Sequence, residues 1–212
     1  MSSPLKRMKA AFFLGWANNK ISNFFNNRFE VLGVLRGRST IRIRGKNNKI
    51  TIREGKFKNI RIGIDGNDNT IFIDENVQIG ALEIIMQNSG CHIFIGKNTQ
   101  IGGAKIVCCE FEDCVIIGND NLIADDVEFW SCDGHSIYQN ALRINPSKPI
   151  VISDHVWIAR SVKILKGVHI NPHSVIGMGS LVSARDYPPH SLLAGVPARV
   201  IKEEITWSAE RT

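Results

Sequence analysis

The residues best suited to acid–base chemistry are the six histidines, and they are not equivalent. An imidazole titrates near about 6.5, so at pH 7 it is mostly neutral and can accept a proton from an alcohol as that alcohol attacks an electrophile. His135 directly follows Asp133 and Gly134 in a stretch without strand patterning, where loops on a rigid scaffold carry function; the plain alternative is a solvated loop histidine. His155 precedes the apolar Val156 and is a second candidate, in a supporting role; His92, His169, His173 and His190 read as surface residues. The cysteines do not invite nucleophilic or metal chemistry. Cys91, Cys108, Cys109, Cys114 and Cys132 form an odd set with no C-x-x-C and no disulfide-scaffold spacing. Adjacent Cys108 and Cys109 would point to opposite faces of a strand, as core fillers. A three-histidine zinc site has little support, because His169 and His173 lack the spacing such sites use, and no metal is expected.

These residues need a frame, and a six-residue period supplies it. Ile152, Ile158, Ile164, Ile170, Ile176 and Val182 are all β-branched aliphatics. Four positions after each of the first five stand Val156, Val162, Val168, Ser174 and Ser180, all small or β-branched. A helix advances about 100° per residue, so a strict period of six would scatter these side chains around the cylinder. Upstream the pattern continues as Ile73 and Ile79, Ile95 and Ile101, Ile117 and Ile123, with Gly, Asn and Asp beside the anchors at Gly45–Asn48, Gly66–Asn69 and Gly118–Asn121. Such residues tolerate the left-handed backbone angles of corners. Three short strands per coil with a corner every six residues make a triangular parallel β-helix; coils stacked at about 4.8 Å give a prism roughly 34 Å tall. A β-sandwich would need strict alternation and two-residue hairpins, which the register from 152 to 182 fits poorly. Cys132 to Pro149 breaks the period as a projecting loop, and Trp157, next to inward Val156, points outward.

The chain has 212 residues, with 26 Lys and Arg against 20 Asp and Glu, a net charge of +6. With 43% hydrophobic and 22% charged residues it suits a soluble globular protein rather than a disordered one. No apolar run approaches the ~20 residues of a membrane-spanning helix. The basic residues read as scattered, so no nucleic-acid partner is expected. Lys6-Arg7-Met8-Lys9 followed by Ala10–Ala17 reads as a short basic amphipathic helix rather than a cleaved leader, able to cap the open end of the prism or touch a membrane surface. A cytoplasmic address follows as an expectation.

Read in order, Ile117–Ala124, Asp133-Gly134-His135, Ile152–Ala159 with its Val156-Trp157-Ile158, Ile164–Val168, Gly177–Ser180 and Ala194–Lys202 resemble the hexapeptide-repeat acyltransferases. The likeness is close over about residues 90–207. It is similar to galactoside and maltose O-acetyltransferases and nearer still to the capsule O-acetyltransferases acting on sialic-acid polysaccharides. The resemblance implies an all-β, left-handed parallel β-helix of hexapeptide repeats. It divides as an N-terminal helical or cap segment at 1–35, a helix at 36–187 with the loop 132–149, and a C-terminal extension at 188–212. It implies an acetyl-CoA-dependent O-acetyltransferase acting on a carbohydrate hydroxyl, assembled as a homotrimer with active sites between subunits. His135 would be the base, and Trp157 would donate toward the reacting centre or line the pantetheine groove. Arg160, Met178, Ala184, Arg185, Arg199 and Lys202 would hold coenzyme A, and Asp133, Tyr138, Arg143 and His155 the acceptor. Two departures stand out: Arg160 replaces a small polar residue, and the chain is one residue longer between Val182 and Arg185, which leaves the placement of Ala184 open. An amino-sugar N-acetyltransferase and a non-catalytic scaffold are the competing readings.

Overall fold

The structure is a computed structural model and describes residues 20–21 and 26–210. The expected helix at Lys6–Ala17, with its capping or membrane role, lies outside the described residues. What is described is a left-handed parallel β-helix, in which each coil contributes one strand to each of three stacks. The first face is an eight-stranded parallel stack running from Arg28–Val31 to Arg185–Tyr187. The second runs from Val34–Arg36 through Gly55–Lys58, Leu122–Ile123 and Trp157–Ile158 to Leu192–Gly195. The third runs from Lys20–Ile21 through Thr40–Arg44, Ile60–Asp65 and Val127–Trp130 to Leu181–Val182. Val77–Met86 and Gln100–Cys108 turn the corner between the second and third faces without a break.

The hexad residues form the core. Ile152, Ile158, Ile164, Ile170, Ile176 and Val182 are completely buried, as are Ile52, Ile73, Ile95 and Ile117 in the coils below. Removing each such side chain from water contributes about 1.5–3 kcal/mol. One corner is lined internally by amides. Asn48 donates through Nδ2 to Asn27 Oδ1 at 2.9 Å, Asn69 does the same to Asn48 Oδ1 at 2.9 Å, and Asn69 Oδ1 accepts from the Cys91 amide at 2.9 Å. A buried amide needs partners, and the coil spacing delivers a polar group above and below each.

The outside corners are left-handed residues in columns, including Asn76, Asn98, Asp120, His155, His173 and His190, with φ between 53° and 62°. Asn and Asp take this region readily, and three histidines occupy it in the upper coils.

Two expectations need correction. The helix does not start at residue 36, because Arg28–Val31 and Val34–Arg36 already pair within it; nor does it end at 187, because Leu192–Gly195 still pairs in parallel with Val175–Ile176. The final strand, Ala198–Lys202, returns antiparallel along Leu192–Gly195. Second, Cys109, expected as a core filler, is disulfide-linked to Cys132 with Cα atoms 6.1 Å apart, whereas Cys108 is the buried filler expected. The reason is the coil period: Val107 pairs with Trp130, so residues two further on in each chain segment are also neighbours.

Candidate active site

The loop that carries His135 leaves the corner between the third and first faces, after Val127–Trp130, and returns at Ile150–Ile152. Its tip is a hairpin, Tyr138–Gln139 against Leu142–Arg143, closed by Asn140 and Ala141 with φ of 50° and 63°. A two-residue turn with both residues left-handed matches the twist of paired strands. Asn145, buried at the loop's base, holds it together. Its Oδ1 accepts from the Ile137 amide at 2.6 Å, and its Nδ2 donates to Asp133 Oδ2 and the His135 carbonyl, each at 2.8 Å. Lys166 from the next coil donates to the same Asp133 oxygen at 2.7 Å and to the Asn145 carbonyl at 2.8 Å. Against the desolvation that would raise it, the Lys166 ammonium and Asn145 amide hold the Asp133 carboxyl below the ordinary range. Arg143 pairs with Glu110, and the guanidinium likewise lowers the Glu110 carboxyl. The disulfide Cys109–Cys132 pins the strand end one residue before Asp133.

Asp133 and Arg143, the residues expected at the acceptor, thus also buttress the loop. Tyr138 is 65% exposed at the hairpin, and His135 is exposed, with its backbone fixed and its ring free to meet a ligand. Ala184 and Arg185 stand above this loop: a Cβ on Gly167 would lie 3.1 Å from the Lys148 side chain and 3.2 Å from Ala184 Cβ. Arg185 opens a first-face strand opposite Val168, its guanidinium 5.9 Å from the Tyr187 ring.

The remaining residues occupy a different corner and face. Trp157 opens a strand on the second face and is 39% exposed. Beside its row runs a column of small residues, Ala124, Ala159, Gly177 and Ala194, in successive coils. A Cβ on Gly177 would sit 3.2 Å from Ala194 Cβ and 3.3 Å from the Leu193 carbonyl, so the column is a shallow channel that larger side chains would fill. Arg160 and Met178 flank it, joined by the Gly179 amide donating to the Arg160 carbonyl at 3.0 Å; Met178 is 72% exposed. Arg199 lies opposite Ala194 and Lys202 opposite Leu192, which places two cations at the channel's upper end. The channel, its apolar flank and its cationic end fit an extended thioester arm that terminates in phosphates. Arg185 and Ala184 do not join this group, since they belong to the His135 corner.

His155 is where the sequence missed a neighbour. Trp207, from the C-terminal extension, stacks on the His155 ring at 4.2 Å, donates through Nε1 to the His155 carbonyl at 3.0 Å, and lies 6.1 Å from the Trp157 ring. The His155 and His173 Nδ1 atoms approach to 3.1 Å, and His173 stacks on His190 at 4.8 Å. Burial, then the neighbouring His155 and His190, push the His173 imidazole below its ordinary pKa. Only the shared corner position in three successive coils could have signalled this column.

One chain thus carries the His135 loop and the Trp157 channel on different corners of the prism.

No family model matches the chain. It is 33% identical over 166 residues to the polysialic acid O-acetyltransferase of Neisseria meningitidis, covering 77% of this chain and 76% of that one. It is 47% identical over 92 residues to the galactoside O-acetyltransferase of Escherichia coli K12 and 38% identical over 96 residues to the polysialic acid O-acetyltransferase of Escherichia coli O1:K1. Those two matches span only 44% and 31% of the relatives' lengths. Among solved structures, the polysialic acid O-acetyltransferase OatWY superposes with a TM-score of 0.83 at 30% identity over 92% of both chains. The polySia-specific acetyltransferase NeuO superposes with a TM-score of 0.68 at 32% identity, over 92% of this chain and 88% of that one. On this extended likeness, and with the coils, loop and channel in the expected order, the chain belongs to the hexapeptide-repeat O-acetyltransferase family.

Proposed function

We propose that the protein transfers an acetyl group from acetyl-CoA to a hydroxyl of a carbohydrate, a sialic-acid-containing capsular or surface polysaccharide or its precursor. The observation that carries this reading is the likeness to OatWY over 92% of both chains. In the proposed step the His135 imidazole accepts the proton of the acceptor hydroxyl while that oxygen attacks the thioester carbonyl. The proton then passes to the departing thiolate. Asp133, fixed by Lys166 and Asn145, keeps the loop in place, and Trp157 supplies an indole N–H beside the reacting carbonyl. Arg199 and Lys202 meet the donor's phosphates, and Met178 and the Ala159–Gly177–Ala194 column pack on its arm.

The transfer is direct, because no thiol is poised to form an acyl-enzyme. Burial pushes the Cys91 thiol up to about 11 and the Cys108 thiol still further, burial and the Asp113 carboxylate raise the Cys114 thiol, and Cys109 and Cys132 are linked. We further propose a cyclic homotrimer, in which the His135 loop of one subunit meets the Trp157 channel of its neighbour; the separation of loop and channel on one prism supports it. A cytoplasmic location fits a donor made where coenzyme A thioesters are made.

The test is thiol release from acetyl-CoA with a panel of acceptors: α2,8-linked polysialic acid, neutral polysaccharides, free sialic acid and amino sugars. Thiol release with the acidic polymer, and an alkali-labile ester in the product, are expected. Release with amino sugars alone, giving an alkali-stable amide, would overturn the assignment.

A further inference from the structure

The charge of the chain is sharply divided along the sequence. Residues 1–61 carry 15 Lys and Arg against 2 Glu, a net charge of +13; residues 62–212 carry 11 against 18 Asp and Glu, −7. The scattered appearance of the basic residues therefore does not survive a count by coil. Of the eleven cations between Arg28 and Arg61, only Arg44, Arg53 and Arg61 form ion pairs among the described residues. Residues 1–27 contain no Asp or Glu with which to neutralise the rest.

Part of this charge borders a hollow of about 870 Å³ on the second face. Arg36, Lys56 and Lys58 form its lower end, all exposed, with Arg36 and Lys58 paired across adjacent coils. Gln78 and Gln100 follow in the next coils, and Gly80 and Gly102 form the floor. A Cβ on Gly80 would sit 2.4 Å from the Gly102 carbonyl, so only glycine leaves the floor this low. No Asp or Glu lines the hollow, and its upper end is Leu122 and Ala124, the strand that pairs directly with Trp157–Ile158. The row Lys56, Gln78, Gln100, Leu122, Trp157 is four strand spacings, about 19 Å from the cations to the proposed reacting centre.

We propose that this hollow is the acceptor groove and that it takes an acidic polysaccharide chain of several sugar units lying along the prism axis. The carboxylates of the far units meet Arg36, Lys56 and Lys58, the glutamine amides meet hydroxyls, and the unit to be modified reaches Trp157. The cations lie too far from Trp157 for one sugar to touch both, so the groove selects polymers over monomers. Its open, shallow floor and unpaired cations suit a flexible polyanion with one charge per unit. This assignment rests on the proposed acetyl transfer for what happens at Trp157, but binding in the groove does not depend on it.

The experiment measures binding and turnover separately on the full-length protein. Fluorescently labelled α2,8-linked oligosialic acids of about two and about ten units are titrated at about 50 and about 200 mM NaCl, alongside dextran and a ten-nucleotide single-stranded DNA. The wild type should bind the long oligomer at least about tenfold more tightly than the short one and lose several-fold in affinity at the higher salt. Dextran should not compete. The triple variant Arg36→Glu, Lys56→Glu, Lys58→Glu should lose at least about tenfold with an unchanged melting temperature, and the corresponding triple Gln variant should fall between the two. Wild-type affinity in both triple variants, or equal affinity for short and long oligomers, would overturn the groove. Tighter binding of DNA than of the ten-unit glycan would instead make this a nucleic-acid surface. Charge-dependent glycan binding without thiol release would leave the groove standing and refute acetyl transfer. Thiol release indifferent to both triple variants would do the opposite.

Discussion

His135 is held through its backbone and exposed at its side chain, which is what a proton acceptor requires. Its carbonyl is held by Asn145, while its ring is left exposed for a substrate. His135→Ala is expected to lower kcat by about 10²–10⁴ with little change in the acetyl-CoA KM. Retention of a third or more of the wild-type turnover would exclude it as the base. Trp157 combines two roles that substitution can separate. Trp157→Ala should lower kcat, whereas Trp157→Phe keeps a ring and removes the N–H. Full turnover in the Phe variant would leave Trp157 as a wall of the channel only. The stacked His173 makes a third prediction. Its pKa is depressed by burial and by His155 and His190, with Asp154 opposing, so the folded protein favours the neutral ring. Above the unfolded value of about 6.5 that preference has no effect on stability; as pH falls below it, the unfolded chain takes up the proton first and stability is lost down to the lowered pKa. Thermal melts from pH 7.5 to 5 should fall more steeply for the wild type than for His173→Asn, since asparagine already occupies this left-handed column at Asn76 and Asn98. Parallel curves would show that the stack carries no proton linkage.

At the scale of the element, the loop 131–149 is an irregular excursion on a regular body, and its order comes from three ties: the disulfide, the Asn145 hub and Lys166. The bond between Cys109 and Cys132 closes a separation of 23 residues. A cross-link over that span stabilises by about 3 kcal/mol in the chain-entropy view. Cys132→Ser should therefore lower the melting temperature and, because Asp133-Gly134-His135 begins at the next residue, lower kcat as well. Reductant should do the same to the wild type and nothing further to the variant. A variant with a lowered melting temperature but full turnover would confine the bond to stability.

For the whole molecule, the proposed trimer has a consequence that a single chain could not satisfy. In a trimer with sites between subunits, His135→Ala and Trp157→Ala are defects of opposite sides of one interface. Co-refolded in equal amounts, the two inactive variants should regain about a quarter of wild-type turnover, since that fraction of interfaces draws both intact residues. No recovery, together with light scattering at a monomer's mass, would refute the shared site. The same scale holds the charge division, with a basic base and an acidic top, which no local motif displays and which gives the prism a direction along which an acidic polymer would align.

How much of this was legible beforehand follows from what each level encodes. The hexad wrote the coils directly: the inward residues from Ile152 to Val182 are buried because a period of six places one aliphatic at each turn of a three-sided cross-section. His135 and Trp157 were also readable, one from a break in the period and one from its register next to Val156. The corner columns, the disulfide and the Trp207–His155 stack were not, because each joins residues separated by a whole coil or more, 23 for the cysteines and 52 for the tryptophan. Asp133 and Arg143 were found in sequence but their partners were not, since only the fold brings Lys166 and Glu110 to them. The sequence by itself determined the prism, the loop that carries His135 and the outward register of Trp157, because a repeat is a local rule applied many times. The tertiary structure decided which of those residues share a corner, because neighbours across coils are set by how many residues each coil holds, and that count changes wherever a loop leaves the helix.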